Sequence, residues 1–230
     1  MAAVSDPNTL GKIHLLQGLS PRELLRLNEL LHSRTYPPNT TIIDAEQPGE
    51  IAYMILSGTV RIHVEQPDGN DVVLAILGPG EIVGEMSLVD SLNRSASAVT
   101  QEESALLWID RATFHECLRS MPTMAFNLTR ILSRRLRIAN AQIQSLATMD
   151  VYGRVARQLL AFAKEYGQPV ADGTLIPFRL TQNDVAGMVG ASRVRVNQVL
   201  VNYKRRRLLS VDRNYRITIH NSEALAQRCQ

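Results

Sequence analysis

Residues 122–148 run without an internal glycine or proline, and Leu132, Leu136, Ala139, Ile143 and Leu146 recur along them at alternating steps of four and three. That rhythm is a heptad seam, the pattern of a helix that pairs lengthwise with another helix. A second stripe, Leu128, Ile131 and Ile138, is available to pack against the helix's own domain. The seam is then left for a second copy of the chain. The expectation is one long helix that divides the 230 residues and joins two copies in parallel, with room for a core on either side.

The two flanks differ in charge. Residues 1–150 carry 12 Lys and Arg against 17 Asp and Glu, net −5; residues 151–230 carry 13 against 5, net +8. An acidic and a basic half point to two modules, and the basic one is suited to meet nucleic acid. Before the divider, residues 21–31 have a helical pattern with Ser20 as cap, and residues 35–110 read as short strands. Apolar and β-branched runs at 51–56, 60–64 and 72–77 are punctuated by Pro48-Gly49, Ser57-Gly58, Pro67-Asp68-Gly69 and Gly78-Pro79-Gly80. Strands at this spacing with glycine corners predict a barrel or a double-sheet jelly roll.

After the divider, Asp150 is a good N-cap for a helix over residues 151–166. Thr181-Gln182-Asn183-Asp184 has the form of a capping box and opens a short helix through Val189. Gly190-Ala191-Ser192 breaks it, and Ser192 caps a second helix reaching about Arg206. Two short helices joined by a glycine turn make a helix-turn-helix. The alternation over residues 209–219 adds a hairpin wing.

Chemistry concentrates in Gly84-Glu85-Met86-Ser87-Leu88 and Arg94-Ser95-Ala96. Gly84 has no Cβ, so backbone N–H groups can approach an anion. Glu85 can accept from a ribose hydroxyl, Arg94 offers a planar charged fork to a phosphate, and Ser95 adds a hydroxyl. The pairing resembles the phosphate-binding cassette of cyclic-nucleotide-binding domains. With Arg134-Arg135-Leu136, Asp150-Val151-Tyr152-Gly153-Arg154 and residues 180–193, the chain resembles the CRP/FNR family of bacterial transcription regulators over nearly its whole length.

The resemblance implies an α+β architecture: a cyclic-nucleotide-binding β-roll (residues 1–121), a dimerisation helix (122–149) and a winged helix-turn-helix (150–230) hinged at Asp150. It implies a homodimer whose effector is a cyclic nucleotide, 3′,5′-cyclic AMP first, bound by Gly84, Glu85, Met86, Ser87, Arg94 and Ser95. The dimer would bind a palindromic double-stranded DNA operator and contact RNA polymerase, without metal and without membrane, in the cytoplasm. Base readers in the cyclic-AMP receptors are a Thr followed by a Ser on the dimer helix; here those positions are Ala139 and Asn140, of which only Asn140 can hydrogen-bond. Arg135, one turn earlier, is either a brace for Glu85 or a surface charge. The DNA-facing set is Thr181, Gln182, Ser192, Arg193, Val194, Arg195, Asn197, Gln198 and Lys204. In place of the family's Arg-Glu-Thr-x-x-Arg stands Arg193-Val194-Arg195-Val196-Asn197-Gln198. Arg193 suits guanine, Val194 a thymine methyl and Gln198 adenine. Lys204-Arg205-Arg206-Arg207 suits phosphates.

Other classes lack their chemistry. Cys117 and Cys229 are too few for an iron–sulfur cluster or a disulfide framework. The five histidines His14, His32, His63, His115 and His220 are scattered, which leaves no metal constellation for an enzyme on the same roll and only His63 near the cassette for a haem. No apolar run reaches membrane-span length, and the N-terminus has no basic-then-apolar signal pattern. A constitutive or other-ligand regulator, with a pocket that does not signal, remains the alternative; a cyclic-nucleotide-regulated subunit acting only on other proteins would have no use for the basic half.

Overall fold

In a computed structural model, which describes residues 3–67 and 71–229, the chain opens on two 3-10 turns, Pro7–Lys12 and His14–Leu16. Helix α1, Pro21–Leu30, follows; Ser20 and Glu23 close a reciprocal capping box at its start. Of the expected Pro67-Asp68-Gly69 turn, Asp68 and Gly69 lie outside the described residues.

Eight strands then build the roll: β1 His32–Tyr36, β2 Thr41–Ile43, β3 Ile51–Ser57, β4 Val60–Glu65, β5 Asp71–Leu77, β6 Ile82–Val83, β7 Ser97–Thr100 and β8 Ser104–Asp110. They form two four-stranded sheets, ordered β1-β8-β3-β6 and β2-β7-β4-β5. The β1–β8 and β3–β8 pairs are antiparallel, and Trp108 stands opposite both His32 and Tyr53. Ile43, Tyr53, Ile55, Val60, Leu77, Val83, Ala98 and Leu106 make one core of the roll. A second core joins Leu10, Leu15, Leu16 and Leu27 to Met54, Ile82 and Leu107, and to residues of the two helices that follow β8. A short helix α2, Glu85–Asp90, interrupts the strands after β6.

Helix α3, Arg111–Ser120, is capped by Asp110, and α4, Pro122–Thr148, is the long divider. On α4, Leu128 and Ile131 are buried in the second core, as the packing stripe predicts. Ile138 departs from that expectation and is exposed. Leu132 departs in the other direction: expected in the seam, it packs against the roll's core. Leu136, Ile143 and Leu146 stay exposed, joined at the helix start by Phe126. The helical period fixes a face only to within a neighbouring stripe, and the roll covers the one turned toward it.

The chain divides into two compact units, Met1–Glu65 with Ala75–Arg137, and Gln66–Leu74 with Ile138–Gln230. In the second, α5 Val151–Tyr166 starts at the Asp150 cap, whose side chain accepts from the Gly153 N–H. Strands β9 Gln168–Val170 and β10 Gly173–Ile176 precede α6 Gln182–Val189 and α7 Arg193–Arg205. Strands β11 Leu209–Val211 and β12 Ile217–Ile219 supply the wing, in a sheet ordered β11-β12-β10-β9, and α8 Ser222–Ala226 ends the fold. Val155, Leu159, Val185, Val196, Val199 and Tyr203 are buried here, and the Tyr203 hydroxyl donates to the Tyr152 carbonyl at 2.8 Å.

Candidate ligand site and nucleic-acid interface

Between β6 and α2 the backbone turns left-handed at Gly84, with φ of 85°. A Cβ there would lie 2.7 Å from Arg94 Nη1 and 2.8 Å from Ile43 Cδ1, so both the conformation and the close approach require glycine. Arg94 is only 6% exposed. Its Nη1 donates to the Gly84 carbonyl at 2.7 Å and its Nη2 to the Ile51 carbonyl at 2.5 Å. The Arg94 backbone pairs with Gln47 and Glu46, tying the cassette to the loop before β3. Burial lowers the pKa of the guanidinium, which nevertheless keeps its charge.

Glu85 is 1% exposed, and its Oε1 accepts from Arg135 Nη1 at 2.6 Å. Arg135 therefore meets the cassette and is not a solvated surface charge. Ser87 is buried against Gly49, where a Cβ would come within 2.2 Å of the Ser87 Cβ. Met86 and Ser95 are exposed beside these buried residues. Arg111, unremarked in the sequence, donates to the Gly49 carbonyl and to Ser91 Oγ, bracing both sides of the loop pair.

The residue that sequence reasoning missed is Glu81, fully buried just before β6. Its Oε1 accepts from Arg134 and lies 3.1 Å from His14 Nδ1; its Oε2 accepts from Arg135 Nη2 at 3.3 Å. Burial pushes its pKa up, but the His14 hydrogen bond and the charges of Arg134 and Arg135 outweigh that and hold it at about 2. Arg135 also donates to the Ile82 carbonyl. An acid directly after Gly78-Pro79-Gly80 and ahead of two apolar residues was the available signal. Ala139 and Asn140 are exposed on α4, on the turn after Arg135.

In the second unit the capping box of α6 is intact: Thr181 Oγ1 donates to Asp184 at 2.6 Å, so this hydroxyl is engaged in starting the helix. Gly190 is left-handed, with φ of 59°, and Ser192 caps α7 by accepting from the Arg195 N–H. On α7, Arg193, Val194, Arg195, Asn197 and Gln198 are exposed, Val194 at 68%. Gln182 bridges two of them, donating to Asn197 Oδ1 at 2.8 Å and accepting from Arg193 Nε at 3.4 Å. Arg195 donates to Gln198 at 3.2 Å and sits over the Tyr152 ring. Lys204-Arg205-Arg206-Arg207 is exposed throughout. Among the described residues, no cluster of His, Cys, Asp and Glu is arranged to hold a metal, and no helix is long and apolar enough to cross a membrane.

Residues 33–121 match the cyclic nucleotide-binding domain family, and residues 153–228 match the Crp-like helix-turn-helix domain. The chain is 34% identical over 221 residues to a CRP-like cAMP-activated global transcriptional regulator of Mycobacterium tuberculosis, covering 96% of this chain and 98% of that protein. It is 35% identical over 186 residues to the cyclic AMP receptor protein of Thermus thermophilus, covering 81% of this chain and 83% of that one. Among solved structures, the c-di-GMP-responsive global regulator CLP of Xanthomonas campestris matches with a TM-score of 0.73 at 27% identity, over 87% of this chain and 99% of that chain.

Proposed function

The chain belongs to the CRP/FNR family of transcription regulators, and we propose that it is a homodimer switched by 3′,5′-cyclic AMP that binds palindromic promoter DNA in the cytoplasm and contacts RNA polymerase there. In this reading residues 1–121 are the ligand domain, 122–149 the dimer helix, and 150–230 the DNA-binding domain hinged at Asp150.

The observation that carries the reading is the Gly84–Arg94 pair. Two backbone carbonyls fix the buried guanidinium beside a glycine that leaves no side chain in the way. The rest of the fork is a charged donor set for a phosphate. Glu85, held by Arg135, is the acceptor for the ribose hydroxyl, with Met86, Ser87 and Ser95 around it. Asn140 is the polar candidate for the purine edge, since Ala139 cannot bond. The exposed Leu136, Ile143 and Leu146 are the surface for a second α4.

On DNA, Gln182 holds Arg193 and Asn197 toward base edges, Val194 meets a thymine methyl, Arg195 and Gln198 flank them, and Lys204 with its basic neighbours takes phosphates. Thr181 and Ser192 present the helix starts. The test is calorimetric titration with cyclic AMP, cyclic GMP and cyclic di-GMP, followed by operator binding with and without each. The Ala139–Asn140 pair and the c-di-GMP-responsive relative favour one second reading, a regulator of the same build with another effector or none. Operator affinity that no cyclic nucleotide changes, or that only cyclic di-GMP changes, would establish it.

A further inference from the structure

We propose that Glu81 is a positioning residue for ribose recognition, holding Arg135, and through it the Glu85 carboxylate, where a ribose hydroxyl is read. The inference rests on the reading of the Gly84–Arg94 cassette as a cyclic-nucleotide site. One guanidinium, that of Arg135, spans three acceptors: Glu81 Oε2, the Ile82 carbonyl and Glu85 Oε1. A planar fork held at three points cannot rotate about its stem, whereas a lone ion pair can. The 2.6 Å bond to Arg135 occupies Glu85 Oε1, so the direction of the remaining lone pairs of Glu85 follows from where Arg135 stands.

Glu81 is also the acid that balances α4. It meets Arg134 as well as Arg135, and His14 from the 3-10 turn closes its other side. Remove its charge, and the Arg135 guanidinium keeps only the Ile82 carbonyl and Glu85 of its three acceptors. Arg135 then loses an anchor, and Glu85 loses its fixed orientation. A purely structural acid would bind helix to roll without sharing a guanidinium with the ribose reader.

The test separates these roles by the ribose hydroxyl itself. The full chain, as wild type, Glu81→Gln and Glu81→Asp, is titrated calorimetrically with cyclic AMP and 2′-deoxy-cyclic AMP. Aspartate keeps the charge in the buried site but draws it back from α4, so it serves where the glutamine variant fails to fold. Wild type is expected to prefer cyclic AMP by about tenfold or more, the worth of a hydrogen bond to a charged acceptor. The variants are expected to bring that preference down to about threefold or less, chiefly through weaker cyclic AMP binding. If a folded variant loses affinity for both nucleotides equally, or for neither, Glu81 does not position the reader and the proposal is overturned while the cassette stands. A wild type that binds cyclic AMP no better than its 2′-deoxy form overturns the ribose reading, and this proposal with it.

Discussion

Replacing Gly84 by alanine separates backbone strain from ligand chemistry. An alanine held in the left-handed region costs about 1–2 kcal/mol. Its Cβ would stand 2.7 Å from Arg94 Nη1 and 2.8 Å from Ile43 Cδ1, contacts that force both side chains to move. Overpacking of that kind costs about 1–3 kcal/mol more. The expected loss of stability is therefore about 2–5 kcal/mol, which a domain of ordinary stability survives. The displaced group is the guanidinium assigned to the phosphate, so cyclic AMP affinity should fall at least tenfold. Gly18 is the control: its φ of 77° imposes the same strain, but its Cβ would meet only Thr123 Cγ2, at an ordinary 3.7 Å. Gly18→Ala should lose about 1–2 kcal/mol in urea unfolding and bind cyclic AMP as wild type does. If calorimetry gives both alanine variants the same affinity, the close approach at Gly84 has no part in binding and the phosphate assignment fails.

Arg94→Leu leaves the Gly84 and Ile51 carbonyls without their donor, which should cost about 1–3 kcal/mol in unfolding. It should also weaken cyclic AMP binding at least tenfold, the usual consequence of losing one partner of a buried charged pair. On DNA, Arg193→Ala should relax preference at one guanine per half-site, at about 1–3 kcal/mol, in a pooled-oligonucleotide selection. Neutralising Lys204-Arg205-Arg206-Arg207 should weaken all sequences alike and flatten the salt dependence measured by gel shift. Glu81, at about 2 in the folded chain against an ordinary 4.5, contributes stability that is present above the ordinary value and is lost as pH falls through the folded one. Urea midpoints followed from pH 5 downward should show that acid limb in wild type and a shallower one in Glu81→Gln.

Much of the fold was legible because its signals are local. The gap-free stretch of α4, the Ser20, Asp150, Thr181 and Ser192 caps and the glycine corners each act within a few residues, and the structure places helices and turns at them. Helix α3 was missed although Asp110 accepts from the Thr113 N–H at 2.9 Å, a cap the sequence displays as Asp-Arg-Ala-Thr; it follows directly on β8, so the apolar run conceals the boundary. Strands β9 and β10 were missed because they are short and the former is wholly exposed, which leaves no alternation to read. Leu132 is covered and Ile138 exposed, against expectation, for a non-local reason: which stripe of α4 is covered depends on where the roll's surface ends.

The local signal at Glu81 could not reveal its role, for a deeper physical reason. Hydropathy assigns an acid to water, and only the convergence of His14, Arg134 and Arg135 makes its burial tolerable. The same convergence gives the proposed function its mechanical content. Arg134 and Arg135 join the roll on one turn of α4, and Ala139 and Asn140 occupy the next. Between Arg135 and the Asp150 cap the helix holds no glycine or proline at which a shift could be absorbed. In the proposed function, a nucleotide drawing on Glu85 would pull on this unbroken helix, whose far end leads to the proposed hinge at Asp150. Such coupling is reciprocal: if cyclic AMP tightens operator binding by a given factor, operator DNA tightens cyclic AMP binding by the same factor. Titrations in both directions at fixed salt that gave unequal factors would refute the linkage.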